Sequence, residues 1–277
     1  QDVQKAIFDF SKNREVVPRY FEDFGKRPDS FQYEGDVFEM IKNGATSFHC
    51  SQELWQDPLQ LSTSLNEKQL NELRTGWDLL IDIDSKYLDY SKIATELIIS
   101  ILEFHGVKNM GLKFSGSKGF HMIIPFKAFP KEINHIKTAE MFPEWARIIS
   151  KYLTEKIKEK LIEKISNIIS TNKYVKDLEA PKKVMPDIIL VSPRHLFRTP
   201  YSLHEKTALA STVLSKYEIK DFQPKDANPL KIKIKNFMPD SQEGEATELL
   251  IQSLDWYKAQ NKDENFNPKT SPAEFKP

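Results

Sequence analysis

Two aspartates, Asp82 and Asp84, stand two apart within the apolar run "LLIDIDS", and this spacing constrains the chain more than any other feature. Side chains of a strand alternate between faces, so both carboxylates project from one face while Ile81 and Ile83 point to the other. A strand built this way can present a divalent metal to solvent. Hard cations such as Mg²⁺ take oxygen ligands, usually one or two carboxylates, with substrate phosphates and water completing the shell. The alternative is a solvated strand end or a turn signal.

Further along, "KFSGSKGFHMII" reads as strand, tight turn, strand. Gly116 and Gly119 free the backbone there, and Ser115, Lys118 and His121 supply donors. Such a turn can gather N–H groups into an anion-binding concavity, although an ordinary hairpin needs glycine just as much. Between the two islands, Ser91 can cap a helix with an apolar stripe of Ile93, Leu97, Ile98, Ile101 and Leu102, ended by Gly106. This helix should cover the back of the sheet, and the length of the connection suits a parallel crossover.

With 277 residues, 39% hydrophobic and 29% charged, the chain suits one large domain, or one domain with a smaller lobe. No apolar run approaches a membrane span, and the N-terminal segment lacks a secretion-signal core, so a soluble, intracellular protein is expected, cytoplasmic or nucleoid-associated. Cys50 is the only cysteine, which excludes a disulfide framework or a cysteine-rich zinc site within this chain. The formal net charge is zero, but residues 20–90 carry fourteen acids against six bases, and residues 147–183 ten bases against five acids. The basic stretch reads as a solvated helix face, or as a path for a template backbone.

In chain order, residues 1–44 read as helical and irregular, with Asp36 able to cap a helix that Gly44 ends; "TSFHC" is short and β-prone. Residues 51–76 read as a loop and a short helix. Ile149, Leu153, Ile157, Leu161, Ile165 and Ile168 recur at helical spacing, which predicts a long amphipathic helix over 144–170. An aliphatic run from Asp187 precedes Arg194, His195, Arg198, His204 and Lys206. "LKIKIKNF" alternates like a strand. A last short helix then gives way to a polar, proline-rich tail with the composition of disorder.

Together, "LLIDIDS", "FSGSKGFH" and "MPDIILVSPRHLFRTPYSLHEKTAL" resemble the three motifs of the archaeo-eukaryotic primase superfamily, most closely the catalytic small subunit of DNA primase. The resemblance covers about residues 25 to 215. It implies an α/β (α+β) fold, a mixed RRM-like sheet flanked by helices, with a catalytic domain over 1–215, a packed extension over 216–259 and a disordered tail over 260–277. It makes Asp82, Asp84 and Asp187 the catalytic, metal-binding carboxylates for two Mg²⁺ or Mn²⁺ ions. Ser115 and His121 become phosphate contacts of the nucleotide, with Lys118 beside them in the same turn, and Arg198 and His204 add further phosphate ligands. Arg27 in "RPDSF" resembles an arginine near the family's active site.

The implied activity is that of a DNA-directed nucleotidyltransferase making short primers from nucleoside triphosphates on a single-stranded DNA template. A large regulatory primase subunit, or a linked equivalent domain, is the implied partner. A primase-polymerase that extends existing ends in repair or plasmid replication is an alternative, as is an inactive nucleic-acid-binding scaffold. Two departures stand out. The cysteine/histidine zinc knuckle of many archaeal members is absent, so no zinc is expected, and one residue fewer than usual separates Asp187 from the arginine segment.

Overall fold

The computed structural model describes residues 2–21, 23–171 and 191–261. An N-terminal helix α1 (Asp2–Ser11) leads into β1 (Val16–Tyr20) and β2 (Asp23–Phe24), then α2 (Glu34–Lys42) and β3 (Ser47–Ser51). Strands β4 (Glu53–Trp55) and β5 (Arg74–Trp77) pair around a short helix, α3 (Glu67–Leu73). The central unit is β6 (Leu79–Ile83), α4 (Leu88–Phe104), β7 (Gly111–Phe114) and β8 (Phe120–Ile124). A small hairpin, β9 (Glu132–Ile133) with β10 (Ile136–Lys137), precedes the long α5 (Glu144–Thr171). The chain then supplies β11 (Leu196–Arg198), β12 (Val213–Leu214) and α6 (Thr247–Gln260).

Among the described residues, two four-stranded sheets organise the molecule, one in the order β11-β3-β1-β2 and the other β12-β7-β8-β6. Every ladder in them is antiparallel. Strands β6 and β7 run the same way, as a helical crossover requires, but β8 is laid between them and pairs with both. Alternation then sorts the side chains. Leu79, Ile81, Ile83, Phe114, Phe120, Met122 and Ile124 enter one core with α4, α5 and α6. Leu80, Ile123 and Val213 face the other way and pack with Val16, Phe48, Cys50 and Phe197 of the first sheet and with Ile7 and Phe10 of α1. Each fully buried aliphatic or aromatic side chain contributes about 2 kcal/mol. A one-residue slip of β6 would drive its carboxylate into the aliphatic layer, so the register that builds the core also aims Asp82.

Several local expectations change. The first 44 residues contain β1 and β2, because Val16 and Val17 are buried in a strand that β3 completes. Strands β4 and β5 replace part of the expected loop. Trp55 and Trp77 are fully buried there, and the Arg74 guanidinium meets the buried Glu53 carboxylate at 2.9 Å. Helix α4 starts at Leu88 rather than after Ser91, whose buried hydroxyl lies 2.9 Å from the Ser85 hydroxyl. Residues 230–237 form no strand. Leu230 is exposed, and the backbone at Lys235 is occupied by the Tyr201 hydroxyl. Among the described residues, no helix is long and apolar enough to cross a membrane.

Candidate active site

Three strands place one polar row across the second sheet. Asp82 of β6 stands opposite His121 of β8, and His121 stands opposite Lys113 of β7. Directly opposed residues of an antiparallel pair share a face, so all three point toward the first sheet at the end where its core runs out. His121 Nε2 lies 3.6 Å from Asp82 Oδ1, and its Nδ1 lies 2.9 Å from Lys113 Nζ. Phe197 closes the row from below, with its ring 6.0 Å from that of His121 and under the Lys113 ammonium position.

Asp84 follows the end of β6 and is exposed, with Oδ1 accepting from the Ser85 N–H at 3.0 Å. The 115–119 turn lies against it. A Cβ at Gly119 would come within 2.5 Å of the Ile83 carbonyl and 3.1 Å of Asp84 Oδ1, so only glycine fits. Gly116 has φ +104, and a Cβ there would meet His204 Cβ at 2.6 Å. Ser115 Oγ accepts from Gly119 N–H within the turn, and Lys118 is exposed at its tip. Residues 204–207 are laid across the turn, with Thr207 Oγ1 donating to the Gly116 carbonyl at 2.6 Å. His204 Nδ1 accepts from Lys206 N–H, which leaves Nε2 to carry the proton of the neutral ring.

The first sheet contributes the cations. Arg198 grips Glu205 with two parallel hydrogen bonds, 2.9 and 2.7 Å, and donates to the Leu203 carbonyl. The same carboxylate accepts from Ser47 Oγ and has Arg19 Nη1 at 3.6 Å and His49 Nε2 at 3.7 Å. Burial opposes ionisation of Glu205, yet the Arg198 fork overrides it and holds the carboxyl down at about 2. Burial, reinforced by Arg198, pushes His49 down to about 3, so at neutral pH its contact with Glu205 is between a neutral ring and a carboxylate. His204 is lowered by burial and then by Arg198, while Asp84 acts in the opposite sense. Arg198 therefore lies within electrostatic reach of His121, His204, His49 and Lys113, which brings together residues from distant segments.

Arg27 is engaged by Glu15. Its guanidinium donates twice to the buried Glu15 carboxylate and once to the Arg194 carbonyl, and Arg194 takes the same two Glu15 oxygens. In the described contacts Arg27 is an arm of a clamp on the segment leading into β11. Asp187 lies outside the described residues. Among those described, no group of three or more His, Cys, Asp or Glu is arranged to hold a metal ion. The two oxygen donors of Asp82 and Asp84 nonetheless match what a hard divalent ion takes from protein when phosphates and water supply the rest.

Sequence reasoning missed Arg19, His49, Lys113 and Glu205. A lysine inside "GLKFS" reads as an exposed face of a strand, and only the pairing of β7 with β8 shows it buried beside His121. The buried neutral histidines carry a pH signature. An unfolded chain protonates His49 below its ordinary value near 6.5 and the folded chain only near 3, so the stability present at neutral pH falls as pH drops through that window. The slope for this one group is about 1.4 kcal/mol per pH unit. Urea midpoints of His49→Gln between pH 6.5 and 4 should fall less steeply than those of the unaltered chain; equal slopes would show that His49 titrates normally.

Two antiparallel sheets packed against each other, helices behind one of them, and paired carboxylates beside a glycine turn and a histidine/arginine cluster make an α+β domain whose site resembles that of the archaeo-eukaryotic primase superfamily. Residues 81–215, just under half of the chain, match the DNA primase small subunit family. It is 27% identical to the DNA primase small subunit PriS of Pyrobaculum calidifontis, over 51% of this chain and 54% of that protein. An uncharacterized protein of Methanocaldococcus jannaschii is 28% identical over 54% of this chain and 32% of its own length. The chain thus spans a third to about half of the curated relatives it matches. The polymerase domain of Mycobacterium tuberculosis ligase D, solved in complex with DNA, superposes with a TM-score of 0.48 at 14% identity, covering 95% of this chain and 86% of that one.

Proposed function

We propose that this chain is the catalytic part of a primase, joining nucleoside triphosphates on a single-stranded DNA template by metal-assisted phosphoryl transfer. The observation that carries the reading is the convergence of Asp82 and Asp84 with His121, His204 and Arg198 around the 115–119 turn. Carboxylates alone suit many hydrolases. Carboxylates facing a cluster of anion-binding donors suit a substrate that brings both phosphates and a hydroxyl to be activated.

Asp82 and Asp84 would hold Mg²⁺ or Mn²⁺, with Asp187 as the further ligand that the motif resemblance supplies. When bound, the metal activates the attacking 3′-oxygen and neutralises charge on the leaving pyrophosphate. The protein's own part is positioning. Backbone N–H groups of the turn and Ser115 orient the triphosphate, His121 and His204 offer ring N–H donors, and Arg198 supplies fixed positive charge. The apolar layer of Phe197 keeps water out from beneath.

The test is incorporation of labelled nucleoside triphosphates on single-stranded DNA with Mg²⁺ or Mn²⁺, with and without an annealed primer. Product from the unprimed template, abolished by chelation and restored by metal, is the expected result. Extension of primed template alone would favour the primase-polymerase alternative. No metal-dependent product on either template, with the unaltered chain folded and bound to DNA, would leave the scaffold reading. A regulatory subunit or linked domain is proposed as the partner that assists initiation, and its addition should raise unprimed synthesis more than extension.

A further inference from the structure

Lys113 is fully buried in the middle of β7, flanked by Leu112 and Phe114 of the apolar core. Its chain spans the gap between the two sheets, against the rings of Phe197 and Phe237. Nothing in its exposure allows contact with a substrate. Among the described residues, its Nζ has two hydrogen-bond neighbours, Ser211 Oγ at 2.6 Å and His121 Nδ1 at 2.9 Å. Ser211 Oγ spends its own hydrogen on the Phe114 carbonyl at 2.8 Å, so it must accept from Lys113. An ammonium then has only a hydrogen to offer Nδ1 of His121, while a neutral amine offers a hydrogen or its lone pair, and the other edge of the ring decides between them. On the opposite edge of the ring, Nε2 faces the Asp82 carboxylate, which only accepts.

We propose that Lys113 is a positioning residue that locks His121 in the tautomer with Nδ1 unprotonated and Nε2–H directed to the Asp82 side of the cleft. The inference rests on the reading of this cleft as a triphosphate site and adds how His121 serves it. An Nδ1 that accepts from Lys113 carries no proton, so the ring holds a single one, at Nε2. A neutral imidazole offers one donor and one lone pair. The Lys113 hydrogen bond decides which of them meets the phosphates, and a lone pair there would repel an anion where Nε2–H attracts it.

The test uses the whole chain, free of metal and ligand, with ¹⁵N-labelled histidine. Two-bond ¹⁵N–¹H spectra, with the His121 ring assigned by its loss in His121→Gln, should show a pyrrole-type Nε2 and a pyridine-type Nδ1. Lys113→Met keeps length and apolar packing but removes the donor. It should shift His121 toward mixed tautomers and raise KM for the nucleoside triphosphate about two- to fivefold, the inverse of the fraction of rings that keep Nε2–H, with kcat changed less than about twofold. In a His121→Gln background the side-chain amide supplies a donor near the Nε2 position without Lys113, so adding Lys113→Met should change KM little. A protonated Nδ1 in the unaltered chain overturns the proposal, and that spectrum decides even if Lys113→Met does not fold. An unchanged tautomer in Lys113→Met alongside a raised KM overturns it as well, leaving Lys113 a packing residue. The spectrum is independent of any activity, so a chain that incorporates no nucleotide would refute the functional reading without touching the tautomer result.

Discussion

Asp82→Asn and Asp84→Asn should each lower metal-dependent nucleotide incorporation about a thousandfold while leaving the fold in place. The loss follows from charge. A carboxylate and an amide have nearly the same shape, but the amide cannot neutralise a hard divalent cation, and electrostatic stabilisation of a transferring phosphoryl group usually accounts for more of the rate in such reactions than any other effect. Stability should hold for the same reason of shape. Asp84 is exposed past the strand end, and Asp82 is partly exposed at the rim of the sheet, where isosteric changes typically cost about 0.5 kcal/mol or less. Incorporation rates and thermal melting of both variants check this together. Near-normal turnover with unaltered metal dependence in either variant would remove the carboxylate pair from the mechanism.

Arg198→Ala should weaken nucleoside triphosphate binding about ten- to a hundredfold and single-stranded DNA binding less than about twofold. Charge-assisted hydrogen bonds contribute about 1.5–3 kcal/mol each, which sets the first figure. The second reflects template affinity carried by other basic groups and must be measured at one fixed salt concentration, because phosphate binding is salt-dependent. The fold adds a refinement. Arg198 neutralises Glu205, so its removal leaves a carboxylate near the incoming phosphates, and Glu205→Gln in the Arg198→Ala background should restore part of the lost nucleotide affinity. Equal losses for nucleotide and DNA, or a chain that melts before either ligand is added, would mean that Arg198 only braces residues 203–205.

The sequence by itself determined the parts whose physics is local. Alternation around Asp82 established a strand with the carboxylates on the face opposite Ile81 and Ile83. The 3.6-residue period of Ile93 to Leu102 and of Ile149 to Ile168 established two helices, and the glycines of "FSGSKG" established a turn between strands. The family resemblance was carried by "LLIDIDS", "FSGSKGFH" and the segment 185–209, and the family match over residues 81–215 takes in all of these but Leu79 and Leu80.

What only the tertiary structure decided is which distant segments face one another. The alternation that reads as a strand does not say which strand is its neighbour, so the insertion of β8 between β6 and β7 was hidden, and with it the row Asp82, His121, Lys113. Residues 1–44 gave a weak strand signal because Val16 and Val17 alternate with nothing. Their strand exists only because β3 pairs along it, and that pairing brings Arg19 and His49 to Glu205 and Arg198. Packing also gives Arg27 its partner, because the buried Glu15 carboxylate demands cations and takes two. A charged residue reads alike in sequence whether it is solvated, paired or buried, and only packing assigns it one of those states.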